Sequence, residues 1–328
     1  VIIISAQKFV IIMTRLLWSY QVGVFYMKRS REIVINGETR LAGIIAKPIK
    51  HSLSPFIHNT SFQLLNVNGV YVSLETEADN LREALSMIKV WEMYGVNISM
   101  PYKRAVIPYL DSLSEEAELT QAVNTVVLSD GKLIGHNTDG IGFVSFLEAE
   151  SSVYHRKEVV ILGAGGAAQA IVTQLALQKV CAIHVFKRNN ETFTTTVAQM
   201  KQLSQHLGVA ISVYDFDDIN ALNYLLEKNV ILVNTTNVGM GAQATSSPLS
   251  PQAKLRAEHT VIDIIYYPLV TPLMRQARNM GCQTFNGLGM LVHQAAVSFE
   301  LWTGKSMPVN EIYKRLLVTL SGEEENDN

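Results

Sequence analysis

The chain has 328 residues, of which 48% are hydrophobic and 17% charged, enough apolar material for buried cores and more length than one typical domain needs. A formal net charge of −2 provides no polybasic surface, which excludes nucleic acid as a partner. Cys181 and Cys282 lie in apolar, strand-like surroundings without metal-ligand neighbours, so they read as reduced core residues and no metal site is expected.

Residues 1–36 read as an N-terminal extension. Its apolar part, residues 1–26, is interrupted by Lys8 and Arg15, so no uncharged run approaches the roughly 18 residues of a membrane span. It also lacks the ordered regions of a signal peptide, and Met27 is the expected natural start. From Thr39 strands and helices alternate. Leu41–Ala46 is a strand, and Ser54-Pro55 reads as an N-cap before a helix that stops at Asn68-Gly69. A strand over 70–74, an amphipathic helix over 80–94, a strand over 96–100 and a helix from Lys103 follow. Strands over 123–128 and 133–136 flank Asp130-Gly131, a strong hairpin signal. A helix over 140–150 leads into the second half.

There the run Val159–Leu162 ends in Gly163-Ala164-Gly165-Gly166-Ala167-Ala168, a G-x-G-x-x-A pattern between a strand and a helix. Gly163 allows the tight turn, Gly165 lets backbone approach a pyrophosphate, and Ala168 lets helix pack on strand. The helix start offers free N–H groups and a positive dipole end to phosphates. Strands over 182–186, 209–213, 230–235 and 260–264 continue the alternation, and helices over 288–302 and 309–320 close it. The predicted fold class is α/β with two domains: an N-terminal substrate domain, residues 37–139 plus 290–320, and a Rossmann-type doubly wound dinucleotide domain, residues 140–289. Residues 321–328 are polar and acidic and read as a disordered tail.

At the end of the strand after the glycine loop an NAD site places a carboxylate. This chain has Lys187-Arg188-Asn189-Asn190 there. Two cations without a carboxylate suit a 2′-phosphate, so NADP is the expected cofactor, with NAD possible through Glu191. In the first half, polar groups gather at strand ends: Ser52 and Ser54; Asn97, Ser99 and Lys103; Asn124; and Asp139. Each has a bland reading, N-capping for Ser54 and Asp139 and a surface position for Lys103, but their joint placement at successive strand ends points to a ligand cleft.

These stretches together resemble the shikimate dehydrogenase family, including its quinate/shikimate branch. They are Pro48–Pro55, Asn97–Lys103, Ala122–Thr125, Asn137–Gly140, Gly163–Ala167 and Asn286–Leu291, and the resemblance spans residues 39–309. It implies that Lys103 and Asp139 form the catalytic pair. Ser52 and Ser54, with Tyr266 nearby, would hold the substrate carboxylate; Asn97, Asn124 and Gln294 would bond ring hydroxyls; Ser99 stands where the family has Thr or Ser. Gly163, Ala164, Gly165, Gly166 and Ala167 would take the dinucleotide, Lys187 and Arg188 would face its adenosine end, and Gly287 and Gly289 would let backbone pass the nicotinamide. The chain departs from the family in the cofactor loop, where NADP-specific members carry Asn-Arg-Thr against Lys187-Arg188-Asn189, and members accepting NAD often have Asp at Asn190.

The implied reaction is reduction of 3-dehydroshikimate, in a cytoplasmic enzyme acting on a small molecule, with no membrane or nucleic-acid partner and a homodimer as candidate assembly. Quinate dehydrogenase activity is the nearest alternative. A silent dinucleotide-sensing module needs no proton donor, so Lys103 and Asp139 count against it. The serine pair and Asn-Thr-Asp-Gly count against a folate-linked or amino-acid dehydrogenase.

Overall fold

The protein is described here from a computed structural model, which describes residues 35–150 and 154–326. Six strands form the first sheet: β1 (Arg40–Ala46), β2 (Gly69–Glu75), β3 (Gly95–Ile98), β4 (Ser112–Leu113), β5 (Thr125–Ser129) and β6 (Lys132–His136), in the order β2-β1-β3-β5-β6-β4. Strands β1, β2 and β3 are parallel, while β5 runs antiparallel to both β3 and β6. Ser129 pairs with Lys132 across a two-residue loop in which Asp130 and Gly131 both have positive φ, 49° and 73°. That is the geometry an Asp-Gly hairpin supplies.

The second sheet is parallel throughout: β7 (Glu158–Leu162), β8 (Ala182–Lys187), β9 (Ala210–Asp215), β10 (Val230–Asn234), β11 (Thr260–Asp263) and β12 (Gln283–Phe285). Its order, β12-β11-β10-β7-β8-β9, reverses between β7 and β10. An open parallel sheet binds its ligand at such a switch point, outside the carboxyl ends of the strands. The expected α/β class with a doubly wound dinucleotide-type sheet is the fold observed.

The helices are α1 (Ser54–Leu64), α2 (Leu81–Val90), α3 (Glu115–Thr120), α4 (Asp139–Ala149), α5 (Gly166–Leu177), α6 (Phe193–Leu207), α7 (Ile219–Leu225), α8 (Pro272–Asn279), α9 (Leu288–Thr303) and α10 (Val309–Asn326). The last two return to the first sheet. Phe299 and Trp302 of α9, with Ile312 and Leu316 of α10, pack in one core with Ala42, Ile44 and Tyr71. Trp302 also donates its indole N–H to the Val126 carbonyl at 3.1 Å. Helix α4 runs between α5 and α9, and two glycines permit this. A Cβ on Gly140 would lie 2.4 Å from the Ala170 carbonyl oxygen of α5, and one on Gly142 would lie 2.4 Å from the Gln294 nitrogen of α9.

Four local expectations are corrected. Leu53, not Ser54, is the N-cap of α1, with helical φ and ψ and no side-chain cap; Ser54 already belongs to the first turn. No helix starts at Lys103: turns lead into a single 3₁₀ turn at Ile107–Tyr109, because Pro108 has no N–H for the carbonyl a turn earlier. Cys181 is exposed, since it precedes β8 and the buried run starts only after it, whereas Cys282 is buried; both are free thiols. Finally, α10 continues to Asn326 where a disordered tail was expected. Extending a nucleated helix costs little, and the glutamates at 323–325 are good helix formers. The residues of the N-terminal extension before residue 35 lie outside the described residues.

Gly142→Ala tests the helix crossing. Alanine favours an isolated helix by about 1 kcal/mol, but here the obstacle is backbone rather than a flexible side chain. The expected net outcome is a loss of roughly 1–3 kcal/mol, read as a lower denaturant midpoint at unchanged m-value.

Candidate active site

The hairpin brings two motifs to one place. Thr125 at the start of β5 pairs with His136 at the end of β6, so Asn124 lies opposite Asn137-Thr138-Asp139. Backbone bonds complete the register: Asn124 N–H to His136 O at 3.0 Å, and Ile98 N–H to Asn124 O at 2.8 Å. The loop after β3 joins them, because Val123 N–H donates to Lys103 O at 2.7 Å.

The side chains then meet. Lys103 Nζ lies 2.5 Å from Asp139 Oδ2, and Asn124 Nδ2 donates to Asp139 Oδ1 at 2.7 Å. The orientation of the Asn124 amide follows from chemistry, because the Thr138 backbone N–H can only donate and lies 2.8 Å from Asn124 Oδ1. Asp139 is not a helix cap: that position is Thr138, while the Asp139 N–H donates to Asn137 Oδ1 at 3.2 Å. Both Asp139 oxygens are therefore available to Lys103 and Asn124. Gln294, half-buried on α9, offers its Oε1 to Asn124 Nδ2 at a long 3.5 Å.

Behind this pair the expected site residue Asn97 sits in a buried polar layer whose other members, Thr125 and Ser298, sequence reasoning missed. Asn97 Nδ2 faces Thr125 Oγ1 and Ser298 Oγ, each at 3.1 Å, and Asn124 O at 3.3 Å. Thr125 and Ser298 share a hydrogen bond of 2.8 Å. Threonine and serine at strand starts and in helices carry no sequence signal of their own; only the contact of α9 with the sheet makes them partners. Ser99 is half-buried beyond the end of β3. His58 is fully buried, stacked on Tyr71 at 4.4 Å between centroids, and neither ring nitrogen has a hydrogen-bond partner among the described residues. Burial pushes its pKa down to about 3, a shift the neighbouring Asn97 side chain opposes.

A cleft of about 1150 Å³ opens between the carboxyl ends of the two sheets. One wall holds Lys50, Ser52 and Met100, and the other holds Gly165, Gly166, Ala167, Thr235, Thr236 and Tyr266. Ser52 Oγ accepts the Ser54 N–H at 3.3 Å. Lys103 and Asp139 are not themselves part of this lining, whereas Met100, three residues before Lys103 in the chain, is. The loop bearing Tyr266 hangs on Asp263, fully buried, which accepts from Thr271 Oγ1 at 2.7 Å, Asn234 Nδ2 at 3.0 Å and Ile265 N–H at 3.1 Å. Desolvation raises the Asp263 pKa, and these three donors oppose it.

The glycine loop fits a phosphate ligand. Gly163 has φ +105°, which favours glycine, and donates its N–H to Phe186 O at 2.8 Å. Cβ atoms built on Gly165 and Gly166 would meet nothing within 4 Å, so this cradle is open. Helix α5 starts there with no acidic residue in its first turn, leaving N–H groups and dipole to an anion. Ala164 instead packs against the core of the second sheet.

One expectation for the cofactor side changes. Lys187 is only 9% exposed, and its ammonium is committed to Thr192 Oγ1 at 2.7 Å and Asn190 Oδ1 at 3.0 Å. It shapes the loop from within because it is still part of β8, and Arg188 is the exposed cation. Gly287 and Gly289 are in addition required by packing: a Cβ on Gly287 would lie 1.8 Å from the Ile264 carbonyl oxygen, and one on Gly289 2.3 Å from the Phe146 ring.

A reversed parallel sheet with an open glycine cradle, facing a second sheet that presents a lysine–aspartate pair, defines a two-domain dinucleotide-binding oxidoreductase. Comparison with known proteins narrows this. Residues 44–126 match the shikimate dehydrogenase substrate binding domain, and residues 287–317 match the shikimate 5′-dehydrogenase C-terminal domain. A shikimate dehydrogenase (NADP(+)) of Streptococcus pneumoniae is 46% identical over 282 residues, 86% of this chain and 98% of its own length. Shikimate 5-dehydrogenase from Listeria monocytogenes, solved with shikimate and NAD, superposes with a TM-score of 0.83 at 39% identity, covering 86% of this chain and 98% of that one. Quinate dehydrogenase from Corynebacterium glutamicum, solved with NAD, gives 0.77 at 30% identity, covering 85% and 99%. The chain belongs to the shikimate dehydrogenase family.

Burial of neutral His58 generates a pH prediction. Unfolded, its imidazole takes up a proton near pH 6.5; folded, it does so only near pH 3. Between these values the unfolded chain binds more protons, so acidification favours unfolding by up to about 1.4 kcal/mol per pH unit. Unfolding free energy measured from pH 7 to pH 4 should fall less steeply in His58→Phe than in the unaltered protein.

Proposed function

We propose that the protein interconverts 3-dehydroshikimate and shikimate with NADP(H), the shikimate dehydrogenase reaction of aromatic amino acid biosynthesis. The observation that carries this reading is the Lys103–Asp139 pair, locked by Asn124; the cleft lined by Ser52 and the glycine cradle supports it. The dinucleotide, when bound, supplies or accepts the hydride. As negative charge grows on the substrate carbonyl oxygen, the Lys103 ammonium stabilises it and delivers the proton. Asp139 orients that ammonium, and Asn124 prevents the carboxylate from rotating away.

Ser52 and Ser54 hold the substrate carboxylate with Tyr266 across the cleft, while Asn97, Asn124 and Gln294, with Ser99, read the ring hydroxyls. The backbone of residues 163–167 holds the pyrophosphate, and exposed Arg188 pairs with a 2′-phosphate. The domain division is residues 37–139 with 290–320 for substrate and 140–289 for nucleotide; the shared core of α9, α10 and the first sheet supports it. The family resemblance alone supports a cytoplasmic homodimer; among the described residues no helix is long and apolar enough to cross a membrane.

A second reading, quinate/shikimate dehydrogenase using NAD(H) or both cofactors, is favoured by the likeness to the quinate dehydrogenase solved with NAD and by exposed Glu191 beside Arg188.

The deciding assay follows loss of reduced-nicotinamide absorbance with 3-dehydroshikimate, comparing NADPH with NADH, and the reverse reaction with shikimate against quinate. Turnover of quinate in preference to shikimate, or of neither, overturns the first reading. Lys103→Ala should lower kcat by roughly 10²- to 10⁴-fold while NADPH still binds, as followed by fluorescence titration. Arg188→Ala should weaken NADP binding by roughly 10- to 100-fold, the worth of a charge-assisted hydrogen bond, and leave NAD binding unchanged in calorimetry.

A further inference from the structure

Tyr71 is held at its backbone, its ring and its hydroxyl. It lies on β2, the edge strand of the first sheet, only 2% exposed. Asn59 of α1 grips its backbone from the open side: Asn59 Nδ2 donates to Tyr71 O at 2.9 Å, and Tyr71 N–H donates to Asn59 Oδ1 at 2.8 Å. Its ring is stacked on His58, one residue earlier on the same helix, with an interplanar angle of 13°. Its hydroxyl donates to Asn97 Oδ1 at 2.7 Å and has the Ser54 hydroxyl as another polar neighbour.

Three constraints from α1 thus aim one hydroxyl at one amide oxygen. The Asn97 Nδ2 hydrogens are spent inside the protein, on Thr125, Ser298 and the Asn124 carbonyl. Its Oδ1 accepts from Tyr71 and also faces the His58 ring, and it is the part of the amide that keeps acceptor capacity beyond the Tyr71 bond. Whatever hydroxyl Asn97 reads, it reads as an acceptor, at an angle set by the Tyr71 O–H.

We infer that Tyr71 is a positioning residue for substrate recognition: its hydroxyl fixes the Asn97 amide so that Oδ1 accepts from one ring hydroxyl of the substrate, while Ser54 ties the same hydroxyl to the carboxylate end. This rests on the shikimate dehydrogenase reading. It adds a residue that acts through Asn97 without touching the reacting atoms.

Tyr71→Phe removes the hydroxyl and keeps the stacked ring and the backbone grip. KM for shikimate should rise roughly three- to tenfold, as for one lost hydrogen bond, with kcat within about twofold and NADP affinity by fluorescence titration unchanged. The discriminating measurement uses shikimate analogues each lacking one ring hydroxyl. One of them, missing the hydroxyl that Asn97 reads, should be turned over equally by Tyr71→Phe and the unaltered enzyme, while the others lose the same factor as shikimate. An unchanged KM, or an equal loss for every analogue, overturns the inference. If the variant lacks a cooperative thermal transition, Asn59→Ser loosens the same tyrosine from outside and should raise KM for shikimate without lowering kcat; kinetics equal to the unaltered enzyme then reject it. Failure of the unaltered protein to oxidise shikimate would instead reject the functional reading itself.

Discussion

The contact between the Asn124 amide and the Asp139 carboxylate organises everything around it. Asp139 Oδ1 is held by Asn124 Nδ2 at 2.7 Å, which leaves Oδ2 pointing at Lys103, and the Thr138 backbone N–H fixes which end of the Asn124 amide faces the carboxylate. A carboxylate so restrained cannot follow a mobile lysine; the lysine must come to it. The proton donor of the proposed reaction is thereby placed before any substrate arrives, which is how a hydrogen-bonded site lowers the reorganisation its chemistry requires.

That contact depends on topology. Strand β5, antiparallel to both β3 and β6 in an otherwise parallel sheet, puts its beginning beside the end of β6, and so joins Asn124 to Thr138-Asp139. Helix α4 leaves from that point and is clasped between α5 and α9 at Gly140 and Gly142. One short helix therefore carries the carboxylate at its start and the interdomain packing along its length. The glycine cradle at the start of α5 and the Asp139 carboxylate at the start of α4 are fixed relative to each other by the close backbone approach of Gly140 to Ala170.

Much of this was legible in the chain. The hairpin at Asp130-Gly131, the strand–glycine–helix unit at residues 159–177 and the alternation of strands and helices all follow from local rules. Lys103, Asp139, Asn124 and Ser52 stood out as polar groups at strand ends. The misreadings have local causes too. Ser54-Pro55 has the composition of a capped start, but the turn at residues 49–52 delivers Leu53 already in helical geometry, so the serine hydroxyl is released to face Tyr71. Lys187 reads as a phosphate ligand in sequence, yet its position within β8 buries the side chain, and Asn190 and Thr192 fold back over it.

By itself, the amino-acid order determined which residues form strands, helices and turns, and which chemical groups stand at their ends, because those outcomes rest on interactions between near neighbours in the chain. Only the folded structure decided which of these groups meet and which are already spent. Tyr71 reaches Asn97 across 26 positions and Asn97 reaches Ser298 across 201. Such partnerships are settled by how α1 and α9 pack on the first sheet, and a hydrogen bond is satisfied or lost over a few tenths of an ångström that no pattern of residue types encodes.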